Sequence, residues 1–141
     1  MADGALDILG WVARGVGLFY VLGGLLTLRA ARTNSFLDKA LAALDGEPTS
    51  AAERLRGWTL WIGGGLTALA GLLLAPLLKA AVAAFLLNAA WQAAYLAWAS
   101  KALPPTNDAE RLGRRRTTNA FVVWLVMTAL VLLLFEQGRL T

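Results

Sequence analysis

One stretch decides the fold: GWTLWIGGGLTALAGLLLAPLLKAAVAAFLLNAAWQAAYLAWAS, residues 57–100, an apolar run interrupted only by Pro76 and Lys79. A bilayer hydrocarbon core is about 30 Å thick, and a helix needs roughly 20 apolar residues to cross it. The run is too long for one membrane span and has the right length for two. Because proline is favoured at the first position of a helix, we predict a helical hairpin that turns near Ala75-Pro76, with Lys79 reaching the membrane surface.

Two more segments outside this run have the length and hydropathy of a span. The four predicted spans cover about 8–28, 57–75, 77–99 and 118–136. None of them alternates between apolar and polar residues with the period of two that marks a membrane β-strand. The sequence therefore predicts an all-α polytopic membrane protein, a single domain with four transmembrane helices in an up-down bundle.

The composition points to lipid as the surrounding medium. Of 141 residues, 58% are hydrophobic and 16% are charged, whereas soluble domains are about 45–50% apolar and about 25% charged. The chain has no cysteine and no histidine, which excludes thiolate or imidazole metal sites and Ser-His or Cys-His catalysis. Every aspartate and glutamate falls in a connection or near the end of a span. We expect no enzyme activity, no metal and no cofactor.

The basic residues predict an orientation. The connections at about 29–56 and 100–117 carry ten lysines and arginines, whereas the other side of the membrane receives only Lys79 and Arg139. By the positive-inside rule, both connections should be cytoplasmic and both termini outside.

We expect a bacterial inner-membrane protein, since the high content of Ala, Leu, Gly and Arg is compatible with a GC-rich genome. Basic residues that flank spans are a topology signal, so nucleic acid is not an expected partner.

The N-terminus, MADGALDILGW, lacks the basic region and the cleavage site of a signal peptide. We therefore expect Met1 to begin the mature chain.

The first connection contains a pattern for a short helix. Asn34-Ser35 offers an N-cap, FLDKALAAL at 36–44 has apolar residues along one side, and Gly46 and Pro48 follow as helix terminators. This predicts a short amphipathic helix on the cytoplasmic surface between helices 1 and 2. A plain helical connector is the alternative.

Two other local patterns concern the connections. Ser50 and Glu53 fit a capping box, so the second helix should begin before it enters the lipid. The third connection has a turn at Pro104-Pro105 and then an anchor for anionic lipid headgroups. The candidate headgroup contacts are Arg114, Arg115 and Arg116.

Small residues form stripes on the first two spans, which predicts close helix crossings because small side chains let helix backbones approach in lipid. The stripe on the first span is Gly10, Ala13, Gly17 and Gly24, and the stripe on the second is Gly63, Thr67 and Gly71.

The third span is small on two sides. One face carries Ala81, Ala84, Asn88, Gln92, Tyr95 and Ala99, with Trp91 and Trp98 beside it. The opposite face carries Ala83, Ala90, Ala93, Ala94 and Ala97. A lipid-facing side should show larger residues, so the helix either lies at the centre of the bundle or packs its back face on another subunit.

Asn88 lies near the bilayer midplane, where an unpaired amide is costly. We expect Asn88 and Gln92 to hydrogen-bond across helices, with Tyr20, Thr67, Thr128 or glycine carbonyls as partners. The leading hypothesis is that these bonds hold the helices together, and the alternatives are a binding or permeation site and a contact with a partner subunit. The candidate intramembrane polar residues are Arg14, Tyr20, Asn88, Trp91, Gln92, Tyr95 and Glu136.

Arg14 lies about 10 Å inside the outer end of the first span, at 1.5 Å per residue. Because helical side chains lean toward the N-terminus, its guanidinium should reach the outer surface. Glu136 is the expected partner and Asp7 is the alternative one, while a charge at a ligand or partner site is the competing interpretation.

These observations predict a non-catalytic integral membrane protein, an accessory or assembly-type subunit that packs against other membrane subunits. The expected partners are membrane lipids and either other membrane proteins or further copies of the chain, bound through helix 3. One alternative is a small oligomeric transporter or channel for a small solute or anion, lined by the polar face of helix 3. A second alternative is a lipid-binding or membrane-shaping protein.

Overall fold

The computed structural model describes residues 2–46 and 50–141, and it describes their side chains except at residues 2–7, 45 and 52. Four helices follow one another: α1 Ala2–Asp45, α2 Ala51–Leu74, α3 Ala80–Ala102 and α4 Asp108–Glu136. Each contains a stretch long and apolar enough to cross a membrane. This confirms the all-α fold with four spans and fits a multi-pass membrane protein. Met1 and Pro48, which carried two of the predictions, lie outside the described residues.

Helix α1 is one continuous helix of 44 residues, about 66 Å long at 1.5 Å per residue. Residues 36–44 are helical as predicted, but they continue α1, so a separate amphipathic helix between helices 1 and 2 is wrong. No glycine or proline interrupts the chain from Leu25 to Asp45. Thr33 lies inside the helix, and its Oγ1 donates a hydrogen bond to the Arg29 carbonyl, 3.2 Å away.

The connections between α1 and α2 and between α3 and α4 are shorter than the sequence predicted. The capping box predicted for α2 is present: the Ser50 N–H donates to the Glu53 carboxylate at 2.9 Å, and the Glu53 N–H donates to Ser50 Oγ at 3.2 Å. Helix α4 begins at Asp108 behind the N-cap residue Asn107. Most of the regions 29–56 and 100–117, expected as cytoplasmic loops, is therefore helical.

The hairpin turn between α2 and α3 lies where the sequence predicts it. Leu77 adopts a left-handed φ of 63°, its N–H bonds the Leu74 carbonyl at 2.8 Å, and the Leu78 N–H bonds the Leu73 carbonyl at 3.0 Å. This is the Schellman pattern of helix termination. Pro76 lies within the turn, and α3 begins at Ala80 instead of at the proline.

The C-terminal segment closes onto this hairpin. Helix α4 ends in a second Schellman pattern at Gly138, whose φ is 66°. The Thr141 N–H then donates to the Leu77 carbonyl at 2.8 Å, and the Lys79 N–H donates to the Thr141 carbonyl at 2.9 Å. We call this end of the bundle, with residues 75–79 and 137–141, the hairpin end. The opposite end, with the connections at 46–50 and 103–107, is called the arginine end.

Helix α1 packs along α2, α2 along α3, and α3 along α4. The α1–α2 crossing is the closest because glycines meet backbone there. A Cβ added at Gly17 would lie 2.6 Å from the Ala75 nitrogen, and one at Gly24 would lie 2.5 Å from the Ala68 nitrogen. From the other side, a Cβ at Gly71 would lie 2.5 Å from the Gly17 carbonyl oxygen. These two helices form a tight antiparallel pair.

Candidate functional site

The inner face of α3 carries a buried polar relay. Asn88 is completely buried, and its Nδ2 donates a hydrogen bond to Thr67 Oγ1 at 3.0 Å. The Thr67 hydroxyl in turn donates to the Gly63 carbonyl at 2.7 Å. The relay joins α3 to α2 through Thr67, which is one of the partners expected from the sequence, whereas the Gly63 carbonyl accepts from Thr67 within α2.

Two atoms near this relay have no hydrogen-bond partner among the described residues, namely Asn88 Oδ1 and Trp91 Nε1. Trp91 lies next to α2, where its Cδ1 would be 4.0 Å from a Cβ added at Gly63. One atom is an acceptor and the other is a donor, and they lie within one turn of the same helix. The buried polar groups on the inner face of α3 are thus only partly paired where this face meets α2.

The other predicted polar residues do not join this relay. The Thr128 hydroxyl donates to the Trp124 carbonyl of its own helix at 2.8 Å. The ring of Tyr20 packs against Trp124, with centroids 4.7 Å apart. Gln92 and Tyr95 are half-buried further along α3, and the ring of Tyr95 lies 6.1 Å from that of Trp98.

Trp124 is a structural residue that the sequence analysis missed. Its Nε1–H donates to the Phe85 carbonyl at 3.1 Å, and its ring stacks on that of Phe85 at 4.6 Å. A signal was available, because a tryptophan buried in a helix bundle usually finds a partner for its N–H. Trp124 is also the only tryptophan in the fourth span.

The outer face of α3 is open. Ala83, Ala90, Ala93, Ala94 and Ala97, which we call the alanine face, are all exposed. The interpretation that α3 lies at the centre of the bundle is therefore wrong, because α3 contacts α2 and α4 on one side only.

The outer faces of the other helices look different. They expose many large apolar side chains, including Leu18, Phe19, Leu22 and Leu26 on α1, Trp58, Leu69 and Leu72 on α2, and Val122, Val126 and Phe135 on α4. On α3, only Leu86 and Leu87 are of this kind. Leu86 and Leu87 lie between Ala83 and Ala90 on the same outward side, so the part of the alanine face without large exposed side chains runs from Ala90 to Ala97.

Arg14 lies in a cavity of about 570 Å³ at the hairpin end, which Trp11 and Arg139 also line. Its guanidinium carbon lies 5.4 Å from the centroid of the Trp11 ring, a distance at which a cation–π contact is favourable. Among the described side chains, Arg14 makes this contact and no ion pair with the exposed Glu136. The Asp7 side chain, the alternative partner, lies outside the described residues.

The arginine triplet divides into two kinds of residue. Nη2 of the half-buried Arg114 donates to the Leu103 carbonyl at 2.7 Å and to the Ala99 carbonyl at 3.1 Å. It therefore closes the C-terminus of α3, where carbonyl groups lack helical partners. Arg115 and Arg116 are exposed on α4, and their contact with lipid headgroups stays a prediction.

Within the described part of the chain, no group of three acidic, cysteine or histidine side chains could hold a metal ion. No protein-family model, curated protein or solved structure matches the chain. Its function therefore has to be inferred from its own geometry.

Proposed function

We propose that this chain is a non-catalytic, multi-pass protein of a bacterial inner membrane that serves as an accessory or assembly-type subunit. It binds a transmembrane helix of another membrane protein on the alanine face of α3. The observation that carries this proposal is the exposure of all five alanines on a face that no helix of the chain covers.

The physical argument concerns how helices associate in lipid. Lipid tails are as apolar as leucine, so helices gain little by hiding apolar side chains from them, and association depends on close backbone packing. Small residues allow that approach over several turns. The uninterrupted part of the alanine face runs from Ala90 to Ala97, about 10 Å or two turns along the helix axis. This length supports a crossing by one partner helix.

The same proposal includes an orientation. The arginine end would face the cytoplasm, because it carries the ten basic residues that the positive-inside rule counts. The hairpin end, with Ala2 and Thr141, would face the outside. Labelling of a cysteine introduced at Thr106 by a membrane-impermeant reagent in intact cells would contradict this orientation.

Cross-linking tests the partner interface, and the lack of natural cysteines makes each introduced one unique. With Ala90→Cys or Ala94→Cys carrying a photoactivatable cross-linker on the introduced thiol, we expect illumination of native membranes to yield an adduct with a different protein. The matched control is Val126→Cys on α4, which is 61% exposed and should give no discrete adduct.

The outcomes separate the candidate occupants. An adduct at twice the mass of this chain would identify a second copy as the occupant and contradict the accessory-subunit proposal. If neither alanine-face cysteine gives an adduct and both react with lipid-soluble maleimide as fast as the Val126→Cys control, the face is open to lipid and the proposal is wrong.

A further inference from the structure

Helices α1 and α2 separate toward the arginine end. At Gly64 an added Cβ would lie 3.2 Å from the Thr27 side chain, so the two helices are still in contact there. At Gly57, which lies two turns closer to the N-terminus of α2, an added Cβ would meet nothing within 4 Å. A groove of about 770 Å³ opens between the helices beyond this point.

Continuing the antiparallel register identifies what faces the groove. Gly24 lies against Ala68, so the register brings Ser35 opposite Gly57. We call this the α1–α2 groove, and its lining includes Asn34, Ser35 and Lys39 of α1 and Arg54, Trp58 and Trp61 of α2. Its size falls within the range of about 300–1,000 Å³ that is usual for small-molecule sites.

The charge in the groove favours an anion. Lys39, Arg54 and Arg56 line it together with two carboxylates, those of Asp38 and Glu53. The Glu53 carboxylate already accepts the Ser50 N–H in the capping box. The lining therefore carries three cations against two carboxylates, a net charge of +1. Asn34 and Ser35 add neutral groups that can donate hydrogen bonds to phosphate or ester oxygens.

The depth of the groove matches the headgroup region of a bilayer. Trp58 lies 16 residues before Leu74, the end of α2, which is about 24 Å along the axis, and Arg54 lies about 30 Å from that end. Trp58 therefore lies just inside the predicted second span, about 57–75, and Arg54 lies just outside it, at the level of the headgroups. Tryptophan is enriched at this level of membrane proteins.

We propose that the α1–α2 groove binds an anionic phospholipid. Its phosphate lies against Arg54, Arg56 and Lys39, and its acyl chains run along Trp58 and Trp61 toward the membrane interior. This inference uses the membrane placement of the helices and does not depend on a partner at α3, so the two proposals fail separately.

Native mass spectrometry of the purified chain in detergent micelles tests the site, with phosphatidylglycerol and phosphatidylcholine as probes. We expect one phosphatidylglycerol to be retained in preference to phosphatidylcholine. The double variant Arg54→Gln/Arg56→Gln should bind it roughly 30-fold more weakly, from the usual contribution of a basic residue near anionic lipid. The control Lys101→Gln/Arg111→Gln removes the same charge from exposed side chains of α3 and α4 that do not line the groove and should bind within about twofold of the unaltered chain.

Three results would overturn the proposal. Equal weakening in both double variants would show general attraction to surface charge, and no weakening in Arg54→Gln/Arg56→Gln would show that the groove is not the site. Displacement of the bound lipid by inorganic phosphate would show a site for a free anion.

All four residues substituted in the two double variants are exposed, so both variants should keep their helical circular dichroism. If the groove variant does not fold, Lys39→Gln alone should weaken binding roughly fivefold, and unchanged binding would refute the proposal.

Discussion

Asn88 of α3 donates its amide N–H to the hydroxyl of Thr67 of α2, at 3.0 Å, deep in the apolar part of the bundle. Asn88 has no exposed surface, so this bond replaces the water that the amide would otherwise bind. The Thr67 hydroxyl in turn donates a hydrogen bond to the Gly63 carbonyl. One amide thereby holds together two helices whose contact is otherwise made by small and apolar side chains.

The first prediction concerns the energy of this bond. Thr67→Val keeps the side-chain shape but removes the acceptor, which leaves Asn88 Nδ2 buried and unpaired. We expect a loss of about 1–2 kcal/mol in the free energy of unfolding, measured by titration with SDS in mixed micelles. In the Asn88→Leu background the same substitution should cost close to nothing. Equal losses in both backgrounds would mean that the two residues are not coupled.

The second prediction separates structural glue from a permeation pathway. Because Asn88 is buried and already bonded, we expect the reconstituted chain to show no flux of small solutes or anions above that of empty liposomes. Asn88→Leu and Gln92→Leu should leave that background unchanged. A flux of the unaltered chain that disappears in these two variants would instead support a transporter lined by α3.

The third prediction uses two adjacent glycines of α1. A Cβ at Gly24 would lie 2.5 Å from the backbone nitrogen of Ala68, whereas one at Gly23 would meet nothing within 4 Å. Gly24→Ala should therefore force α1 away from α2 and lower the free energy of unfolding by about 1–3 kcal/mol. Gly23→Ala is the matched control and should be neutral or slightly stabilising. SDS titration measures both, and equal effects would show that the crossing is looser than described.

The fourth prediction concerns the corner between α3 and α4. Arg114→Gln removes the charged donor from the Leu103 and Ala99 carbonyls, and we expect a loss of about 1–2 kcal/mol, since part of Arg114 is still in contact with solvent. Arg115→Gln removes an equal charge from an exposed side chain and should change the free energy of unfolding by less than about 0.5 kcal/mol. Faster amide hydrogen exchange at the end of α3 should accompany the first change alone.

Local signals in the sequence predicted much of this fold. The hairpin at Ala75-Pro76 followed from the length of one apolar run, and the capping box at Ser50 followed from a four-residue pattern. Neither depends on which other helices lie beside these residues, so the sequence alone suffices for both. The break expected before Phe36 was wrong because a capping pattern alone does not end a helix that has no glycine or proline and is already propagating.

The site was less predictable for a related reason. The sequence identified Asn88 and Thr67 as polar residues that need partners, but it also offered Tyr20 and Thr128 as alternatives. Only the positions of the helices show that Thr67 lies within hydrogen-bond distance of Asn88. The role of Arg114 was likewise hidden, because a run of three arginines looks uniform until the end of α3 is placed beside one of them.

Hydropathy by itself determined that four segments of this chain belong in lipid, because the transfer free energy of some twenty apolar residues is large and depends little on what surrounds them. Only the tertiary structure decided which faces of those helices are covered. The free energy of an alanine face in lipid is nearly the same against acyl chains as against another helix. Whether the face is buried therefore depends on how the helices are positioned. That position is set by the glycine contacts between α1 and α2 and the aromatic contacts between α3 and α4. Those contacts leave the alanine face of α3 open.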